Sequence, residues 1–363
     1  MFDRRLLKNL DYVILGTVAA LTTISLFVIM SASPENPFYF VKRQLLWVVL
    51  GLVAFVVTLS IDYHDLSRYT RHLYYLNVAL LAATLVLGSE AKGAQRWLQI
   101  GPVALQPSEF AKIIIIITLA HLLSEKAPEL RTLRDLAPVF AHVGVPMLLI
   151  LKQPDLGTSL VFAALLFVML FVAGVRWQHL AALFLSAVAA APVLFHFLKD
   201  YQKKRLLVFI DPNIDPTGAG YHVIQSMIAI GSGRLWGKGL FGGTQNRLGF
   251  LPEQHTDFIF SVIGEELGFL RAVGILILYF IIIYRGIRVA AKARDDFGTL
   301  LATGVVTMLA FHLLVNVGMT TGIMPVTGIP LPFMSYGGSS YLTNMIAVGL
   351  LLNVHMRRHK ILF

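Results

Sequence analysis

The stretch YVILGTVAALTTISLFVIM, which runs from Tyr12 to Met30, decides the fold class. It contains no charged residue and is close to the roughly 20 apolar residues that a helix needs to cross a bilayer. The basic start of the chain and the small residues Ser31–Ser33 also fit a secretory signal peptide, but the apolar core of such a peptide has only about 7 to 15 residues. We therefore predict a first membrane-spanning helix here, with a cleaved signal peptide as the alternative.

Similar apolar runs recur along almost the whole chain. Of the 363 residues, 56% are hydrophobic and 14% are charged, whereas a soluble domain has roughly 45 to 50% apolar and about 25% charged residues. These runs predict an all-α integral membrane protein with ten transmembrane helices, built as a single polytopic membrane domain over residues 1–363. The predicted spans are 12–32, 44–61, 73–88, 110–124, 138–151, 156–174, 177–198, 258–284, 298–320 and 340–355.

The basic residues predict the orientation in the membrane. If the N-terminus is cytoplasmic, the segments on that side hold sixteen Lys or Arg, and the short segments on the other side hold five. Cytoplasmic segments of membrane proteins carry such an excess. We therefore expect both termini in the cytoplasm and residues 199–257, between spans seven and eight, to form a large extracytoplasmic loop. These segments account for the formal net charge of +10, so nucleic acid is not an expected partner.

The chemically unusual residues lie in the segments that are predicted to face outward. Cytoplasmic connections are short and basic, as in Arg176–His179. The outward segments are rich in Gly, Pro, Gln and acidic residues; they are Lys92–Trp97, Gln106–Glu109, Gln153–Ser159, residues 199–257 and Pro330–Ser339. A functional site is therefore expected at the outer face.

Asp257 is the candidate catalytic residue. It ends the polar stretch LPEQHTD, and the eighth apolar run begins directly after it. A carboxylate at this place would be partly desolvated, which makes it a better proton acceptor near neutral pH. The alternative is that Thr256 or Asp257 caps the first turn of the following helix.

Two more acids, Glu265 and Glu266, lie within that apolar run, about 12 Å beyond Asp257 if the helix is continuous. Acidic residues inside a span are costly and are functional by default. Helical spacing puts Asp257, Ser261 and Glu265 on one face. We expect Glu265 to support Asp257, and Glu266 to pack between helices or to lie at the membrane interface.

Two outward turns open spans with Pro and an acid, at Pro107 with Glu109 and at Pro154 with Asp155. Helix capping explains both acids locally. Capping does not explain Lys112, which lies three residues after Glu109 inside an apolar run, where a charge needs a partner. We predict a Glu109–Lys112 pair that faces the bundle interior; whether it is structural or contacts substrate stays open.

The long loop combines glycines with cations, a composition that suits phosphate, although turns in a solvated loop would explain the glycines equally well. No histidine pair has the spacing of a zinc site, and the chain has no cysteine. An oxygen-ligated divalent cation such as Mg²⁺ or Mn²⁺, shared by Asp257 and a substrate diphosphate, is the remaining cofactor candidate.

At these residues the chain resembles the SEDS family of cell-wall proteins. The resemblance covers essentially the whole chain through KGAQRW from Lys92, QPSEFAK from Gln106, QPDLGTS from Gln153, DPTGAGYHVIQS up to Ser226, LPEQHTDFIF from Leu251, EELG from Glu265 and PFMSYGGSS from Pro332. Gly243–Gln245 and Gly220–His222 are similar to the elongation-type members rather than to the division-type paralogues.

The resemblance implies a ten-helix peptidoglycan glycosyltransferase that polymerises lipid II into β-1,4 glycan at the outer face of the bacterial cytoplasmic membrane during cell elongation. Its implied partners are a class B penicillin-binding protein, other membrane proteins of the elongation machinery and membrane lipid. The family's essential acid falls on Asp257. The predicted substrate-binding residues are Lys112, Glu109, Lys92, Arg96, Asp155 and Ser335, with the loop cations Arg205, Arg234 and Lys238 ranked behind them. The alternatives are a lipid II flippase, a scaffold for the penicillin-binding protein, and a division-type enzyme with the same chemistry.

Overall fold

The computed structural model describes residues 9–91, 94–101, 103–126, 132–216, 218–251 and 253–358. In this part of the chain, 14 α-helices form, together with one small sheet. The helices are α1 (Tyr12–Ser31), α2 (Pro37–Ser60), α3 (Tyr63–Arg68), α4 (Thr70–Leu87), α5 (Pro107–Lys126), α6 (Ala137–Lys152), α7 (Leu156–Val172), α8 (Trp177–Phe197), α9 (Asp200–Ile210), α10 (Ala219–Ser232), α11 (Thr244–Arg247), α12 (Ile259–Ala291), α13 (Asp296–Thr320) and α14 (Gly338–Met356).

All ten predicted spans coincide with helices, namely α1, α2, α4 to α8 and α12 to α14. Six stretches of the described chain are long and apolar enough to cross a membrane: Tyr12–Ser31, Pro37–Ser60, Pro107–Lys126, Leu133–Lys152, Ile259–Ala291 and Asp296–Thr320. Two further apolar helices, Leu156–Val172 and Trp177–Val193, are shorter. The protein is therefore a multi-pass membrane protein, and the count of ten crossings stays a prediction.

A small antiparallel sheet, which the all-α prediction did not include, precedes α5. Its strands are β1 (Ser89–Ala91), β2 (Ala94–Ile100) and β3 (Val103–Leu105), in the order β1-β2-β3. Trp97 pairs with Ser89, and Leu98 pairs with Leu105. The sheet forms because the segment between the apolar helices α4 and α5 must satisfy its own main-chain hydrogen bonds. It fixes Arg96 and Trp97 at the end of the helix bundle.

Helix α13 lies at the centre of the bundle, where it packs against α12, α5, α7 and α14. The most extensive packing between two helices joins α2 and α14. Small residues permit this approach: a side-chain carbon at Gly51 would lie 2.8 Å from the Tyr341 ring, and one at Gly349 would lie 2.9 Å from Thr58 Cβ. Close contact through small residues is the usual way in which membrane helices gain van der Waals energy.

Helix α12 is broken in its N-terminal third at Gly268, whose φ of 75° and ψ of 178° are not helical. The segment that follows α10 hydrogen-bonds to the break. Lys238 N donates to Glu265 O at 3.0 Å, and Phe269 N donates to Arg234 O at 2.9 Å. A helix can break at membrane depth only where such partners satisfy the main chain. The break fixes residues 234–239 against α12.

Candidate functional site

A cavity of about 530 Å³ lies at the end of the bundle where α5, α7, α12 and α14 begin. Its walls combine cations, acids and aromatic rings from many separate parts of the chain. The charged and histidine residues that line it are Arg43, Arg96, Glu109, Lys112, Asp155, Arg205, Glu253, His255, Asp257 and His312. The structure thus brings six of the predicted site residues to one place: Asp257, Lys112, Glu109, Arg96, Asp155 and the lower-ranked Arg205.

Asp257 lies in a turn just before α12, and its main chain is held from two sides. Asn316 Nδ2 donates to Asp257 O at 2.9 Å, and Ser335 Oγ donates to Thr256 O at 2.6 Å. The N-cap position of α12 is Phe258, which makes no side-chain cap. The capping explanation for Thr256 or Asp257 is therefore not what the structure shows, and the Asp257 side chain contributes to the cavity wall instead.

Arg205, on α9, supplies a positive charge next to Asp257. The two side chains flank Gly328: a side-chain carbon there would lie 3.3 Å from Asp257 Oδ2 and 3.9 Å from Arg205 Nη1. Burial lowers the pKa of the Arg205 guanidinium, and the negative charge of Asp257 acts in the opposite direction. A guanidinium nevertheless stays protonated at physiological pH, so Arg205 presents a positive charge beside Asp257.

The predicted Glu109–Lys112 pair forms, and it is almost fully buried. Lys112 Nζ donates to Glu109 Oε1 at 2.8 Å, and the side chains are 2% and 6% exposed. Lys112 Nζ also lies 3.2 Å from His312 Nε2 on α13, which accepts from the ammonium. Glu109 Oε2 and His312 Nδ1 have no partner among the described residues. All three side chains line the cavity, so the pair faces the candidate site.

Arg96 and Asp155 are both tied to the turn that opens α7. Arg96 Nε donates to Gln153 O at 3.1 Å, and a second guanidinium nitrogen donates to Pro154 O. Asp155 caps α7 by accepting from Thr158 N at 3.2 Å and Thr158 Oγ1 at 2.9 Å. The capping role predicted for Asp155 is therefore present. Because a guanidinium has five donors, Arg96 can hold the turn and still face the cavity.

Of the other predicted site residues in the described part of the chain, Ser335, Arg234 and Lys238 do not line the cavity. Ser335 is buried, and its hydroxyl accepts from Leu331 N at 2.8 Å while it donates to Thr256 O. Ser335 thus holds the segment that carries Asp257. Lys92 lies outside the described residues.

The expectation that Glu265 supports Asp257 does not match the contacts. Glu265 Oε1 accepts from Lys238 Nζ at 2.7 Å and from the main-chain nitrogens of Thr244 at 2.8 Å and Gln245 at 3.0 Å. The helical spacing argument failed because α12 begins only at Ile259, so Asp257 is not part of the same helix. Glu265 holds the segment around α11.

Glu266 contacts a neighbouring helix, as the packing alternative proposed. Ser31 Oγ, at the end of α1, donates to Glu266 Oε1 at 2.6 Å. Phe241 N donates to Glu266 Oε2 at 3.3 Å, and the side chain is buried. Glu266 therefore joins α1, α12 and the segment before α11.

Within the described ranges, no group of three or more His, Cys, Asp or Glu side chains is arranged to hold a metal ion. The described residues therefore offer no complete set of protein ligands for a metal ion. A divalent cation shared between Asp257 and a substrate diphosphate stays a prediction.

Several residues of the cavity were missed or ranked low from the sequence. Arg205 was ranked behind Lys112 and Arg96, and Arg43 was not proposed at all. Both are brought to the cavity by tertiary packing, which no local spacing encodes. His312 carried a usable signal, because a titratable residue inside an apolar span is functional by default.

Comparison with known proteins shows which family the chain belongs to. The family described as "Cell cycle protein", which includes FtsW, RodA and SpoVE, matches residues 10–360. The chain belongs to this family. It is the family that the sequence motifs resemble, so the resemblance is confirmed.

Among curated relatives of this SEDS chain, the peptidoglycan glycosyltransferase MrdB of Escherichia coli strain K12 is 41% identical over 352 residues, covering 96% of this chain and 94% of that protein. The probable peptidoglycan glycosyltransferase FtsW of Trichlorobacter lovleyi is 40% identical over 360 residues, covering 96% and 93%.

Two kinds of solved structure share the fold. A chain of a peptidoglycan synthase complex that coordinates polymerization and crosslinking is 35% identical, with a TM-score of 0.83 over 97% of this chain and 99% of that one. The rod shape determining protein RodA of Thermus thermophilus is 30% identical, with a TM-score of 0.74 over 97% and 98%. The helical membrane architecture is therefore shared over nearly the full length.

Proposed function

We propose that this protein is a peptidoglycan glycosyltransferase that polymerises lipid II into β-1,4 glycan strands. Family membership and the MrdB relative support the activity. The observation that carries the proposal is the cavity in which the Asp257 carboxylate and the Arg205 guanidinium flank Gly328, with further cations on the walls. Such a site has the base and the positive charge that transfer from a lipid diphosphate needs.

Asp257 acts as the general base in this mechanism. It accepts the proton of the sugar 4-hydroxyl while the hydroxyl oxygen attacks the anomeric carbon and the bond to the diphosphate breaks. An α-linked donor and a β-linked product require one inversion, which needs no covalent intermediate. A second catalytic carboxylate is not required for this step, which agrees with the structural contacts of Glu265 and Glu266.

The departing diphosphate is stabilised by the cations of the cavity. Arg205 is our first candidate because it is the cation beside Asp257. Arg96, Arg43 and Lys112 line the same volume and add positive charge. Lys112 is already neutralised by Glu109, so its share of the anion binding is smaller than that of the arginines. Lys92 stays a candidate from the sequence alone.

The cellular role is proposed to be elongation, with a class B penicillin-binding protein as the crosslinking partner. The two overall identities, 41% to MrdB and 40% to FtsW, do not separate the two branches. The subtype rests on the Gly243–Gln245 and Gly220–His222 motifs. The solved synthase complex, which couples polymerization with crosslinking, supports a partner of this kind.

The proposed topology has ten crossings of the bacterial cytoplasmic membrane, both termini in the cytoplasm, residues 199–257 outside and one domain over residues 1–363. The positive-inside distribution supports it. The chain has no cysteine, so single-cysteine labelling needs no further substitution. A membrane-impermeant maleimide should label Asn213→Cys in intact cells or spheroplasts and should not label Gln178→Cys. The reverse pattern would overturn the orientation.

The activity is tested with purified protein and lipid II in detergent, with and without the transpeptidase partner. Detergent removes membrane sidedness, so a flippase has no measurable action there. Wild type should form glycan strands, and Asp257→Asn should not. If wild type forms no glycan with the partner present, or Asp257→Asn is as active as wild type, the enzyme assignment is wrong.

A further inference from the structure

Asn316 is a fully buried amide on α13, one helical turn beyond His312. Its Nδ2 donates two hydrogen bonds, to Asp257 O at 2.9 Å and to Ile329 O at 2.8 Å. The two acceptors belong to different segments: the turn before α12 and the loop between α13 and α14. One side chain therefore joins two parts of the chain that are far apart in sequence.

These two segments form the immediate surroundings of the Asp257 carboxylate. Gly328 precedes Ile329, and its α-carbon faces Asp257 Oδ2 closely enough that an added side-chain carbon would lie 3.3 Å away. Its φ of 75° is one that glycine adopts readily. The bond to Ile329 O fixes this loop, and the bond to Asp257 O fixes the residue that the loop faces.

The two acceptors fix the orientation of the Asn316 amide. Carbonyl oxygens only accept, so the NH₂ group must face them. The other end of the amide, Oδ1, is buried and has no partner among the described residues. Leaving this oxygen without a partner costs stability, and removing the NH₂ group would leave the carbonyl oxygens of Asp257 and Ile329 without their donor. The Asn316 amide therefore specifies how these two segments are placed relative to each other.

We propose that Asn316 is a positioning residue for the reaction: it sets the distance and direction of the Asp257 carboxylate relative to the Gly328 loop and Arg205. Because its Nδ2 reaches the main chain of Asp257, Asn316 acts through that residue and does not contact the sugar. The inference rests on the proposed function, in which Asp257 is the base.

The chain offers a matched control at the other end of the bundle. Asn353, on α14, is equally buried, and its Nδ2 also bridges two carbonyls, Thr58 O at 2.7 Å and Ile61 O at 2.5 Å. Asn316→Leu and Asn353→Leu each remove two hydrogen bonds that the Nδ2 atom donates to main-chain carbonyls. Asn353→Leu also removes two bonds that Asn353 Oδ1 accepts, from Tyr63 N at 3.3 Å and from Arg357 Nη1 at 2.6 Å, so it is the more disruptive substitution. Only the Asn316 substitution removes a bond to Asp257.

The experiment measures lipid II turnover of both variants in detergent, together with their thermal midpoints of unfolding. Asn316→Leu should lower kcat about 30-fold with KM within threefold of wild type, since a misplaced base slows the chemical step. Asn353→Leu should keep kcat per folded molecule within threefold. If Asn316→Leu does not fold, Asn316→Ser, which introduces no bulk, should show the same fall in kcat.

A double variant separates positioning from general damage. If Asn316 acts through Asp257, then Asp257→Asn with Asn316→Leu should be no slower than Asp257→Asn alone. A further loss in the double variant, or full kcat in Asn316→Leu and Asn316→Ser, overturns the positioning role. In that case an Asp257→Asn variant that is about 10²- to 10⁴-fold slower than wild type still upholds the proposed function. A fully active Asp257→Asn overturns the proposed function itself.

Discussion

Asp257 and the pair Glu265–Glu266 lie on the same segment of the chain, but their surroundings differ. Glu265 is 1% exposed, and its Oε1 accepts from one ammonium and two main-chain nitrogens. Asp257 lies against a cavity of about 530 Å³, with a guanidinium on the other side of a glycine. Both sites are acidic and both were flagged by the sequence.

The difference shows how a structural acid and a catalytic acid can be told apart. A carboxylate oxygen that is surrounded by main-chain donors fixes the chain that carries those donors, and it has little capacity left for substrate. A carboxylate that lines an open volume beside a cation can receive a proton from a molecule that enters it. The acids of α12 therefore hold the segments that contact them, and the surroundings of Asp257 suit the proposed role of a base.

Asp257→Asn tests the catalytic half of this comparison and should have the largest effect. The amide keeps the shape of the carboxylate but cannot accept the hydroxyl proton, so lipid II polymerisation should fall about 10²- to 10⁴-fold. The thermal midpoint of unfolding should stay close to that of wild type. A matching loss of stability would mean that Asp257, like Glu265, mainly holds structure.

Lys112→Met asks whether a buried ion pair in the cavity is needed for stability, for activity or for both. Leaving Glu109 charged and unpaired should cost about 3 to 5 kcal/mol of unfolding free energy. The double variant Lys112→Met with Glu109→Gln should recover most of that stability, because no unpaired charge remains. If it also recovers polymerisation, the pair has no direct role with substrate.

Glu265→Gln tests whether Glu265 stabilises the structure without taking part in the reaction. The amide oxygen can keep the main-chain donors of Thr244 and Gln245, but the negative charge to which they and Lys238 Nζ bond is lost, and the NH₂ group takes the buried position of Oε2, which has no partner among the described residues. We expect a loss of about 1 to 3 kcal/mol of unfolding free energy. Polymerisation per folded molecule should stay within about threefold of wild type. Glu266→Gln should behave in the same way. A drop comparable to that of Asp257→Asn, without a loss of stability, would place Glu265 in the catalytic machinery.

The sequence predicted the helices well because an apolar run long enough to cross a bilayer can satisfy its main chain only as a helix. The Glu109–Lys112 pair was also predictable, since residues three apart on a helix are neighbours. Both signals are local. The predicted orientation of the spans put three polar segments on the same side of the membrane: Gln106–Glu109, Gln153–Ser159 and the turn with Asp257.

The features that the sequence did not predict depend on contacts between distant segments. The break at Gly268 is stable because Arg234 and Lys238 supply main-chain partners for it, and no local pattern announces that pairing. The place of Arg205 beside Asp257 depends on how α9 packs. Asn316 carried a signal that was overlooked: a polar side chain inside an apolar span needs a partner.

Lys238→Met should have the smallest effect of these substitutions. It separates the contribution of the Lys238 ammonium from that of the main-chain nitrogens that also bond to Glu265. Lys238 is 27% exposed while Glu265 is 1% exposed, so water screens one end of the ion pair. The main-chain donors of Thr244 and Gln245 remain on Glu265 after the substitution. We therefore expect a loss of only about 0.5 to 1 kcal/mol of unfolding free energy, which shrinks at high salt. If Lys238→Met destabilises the protein as much as Glu265→Gln does, the main stabilising contact of the Glu265 carboxylate is the Lys238 ammonium and not the main-chain nitrogens. The segment around α11 would then be held mainly by the ion pair.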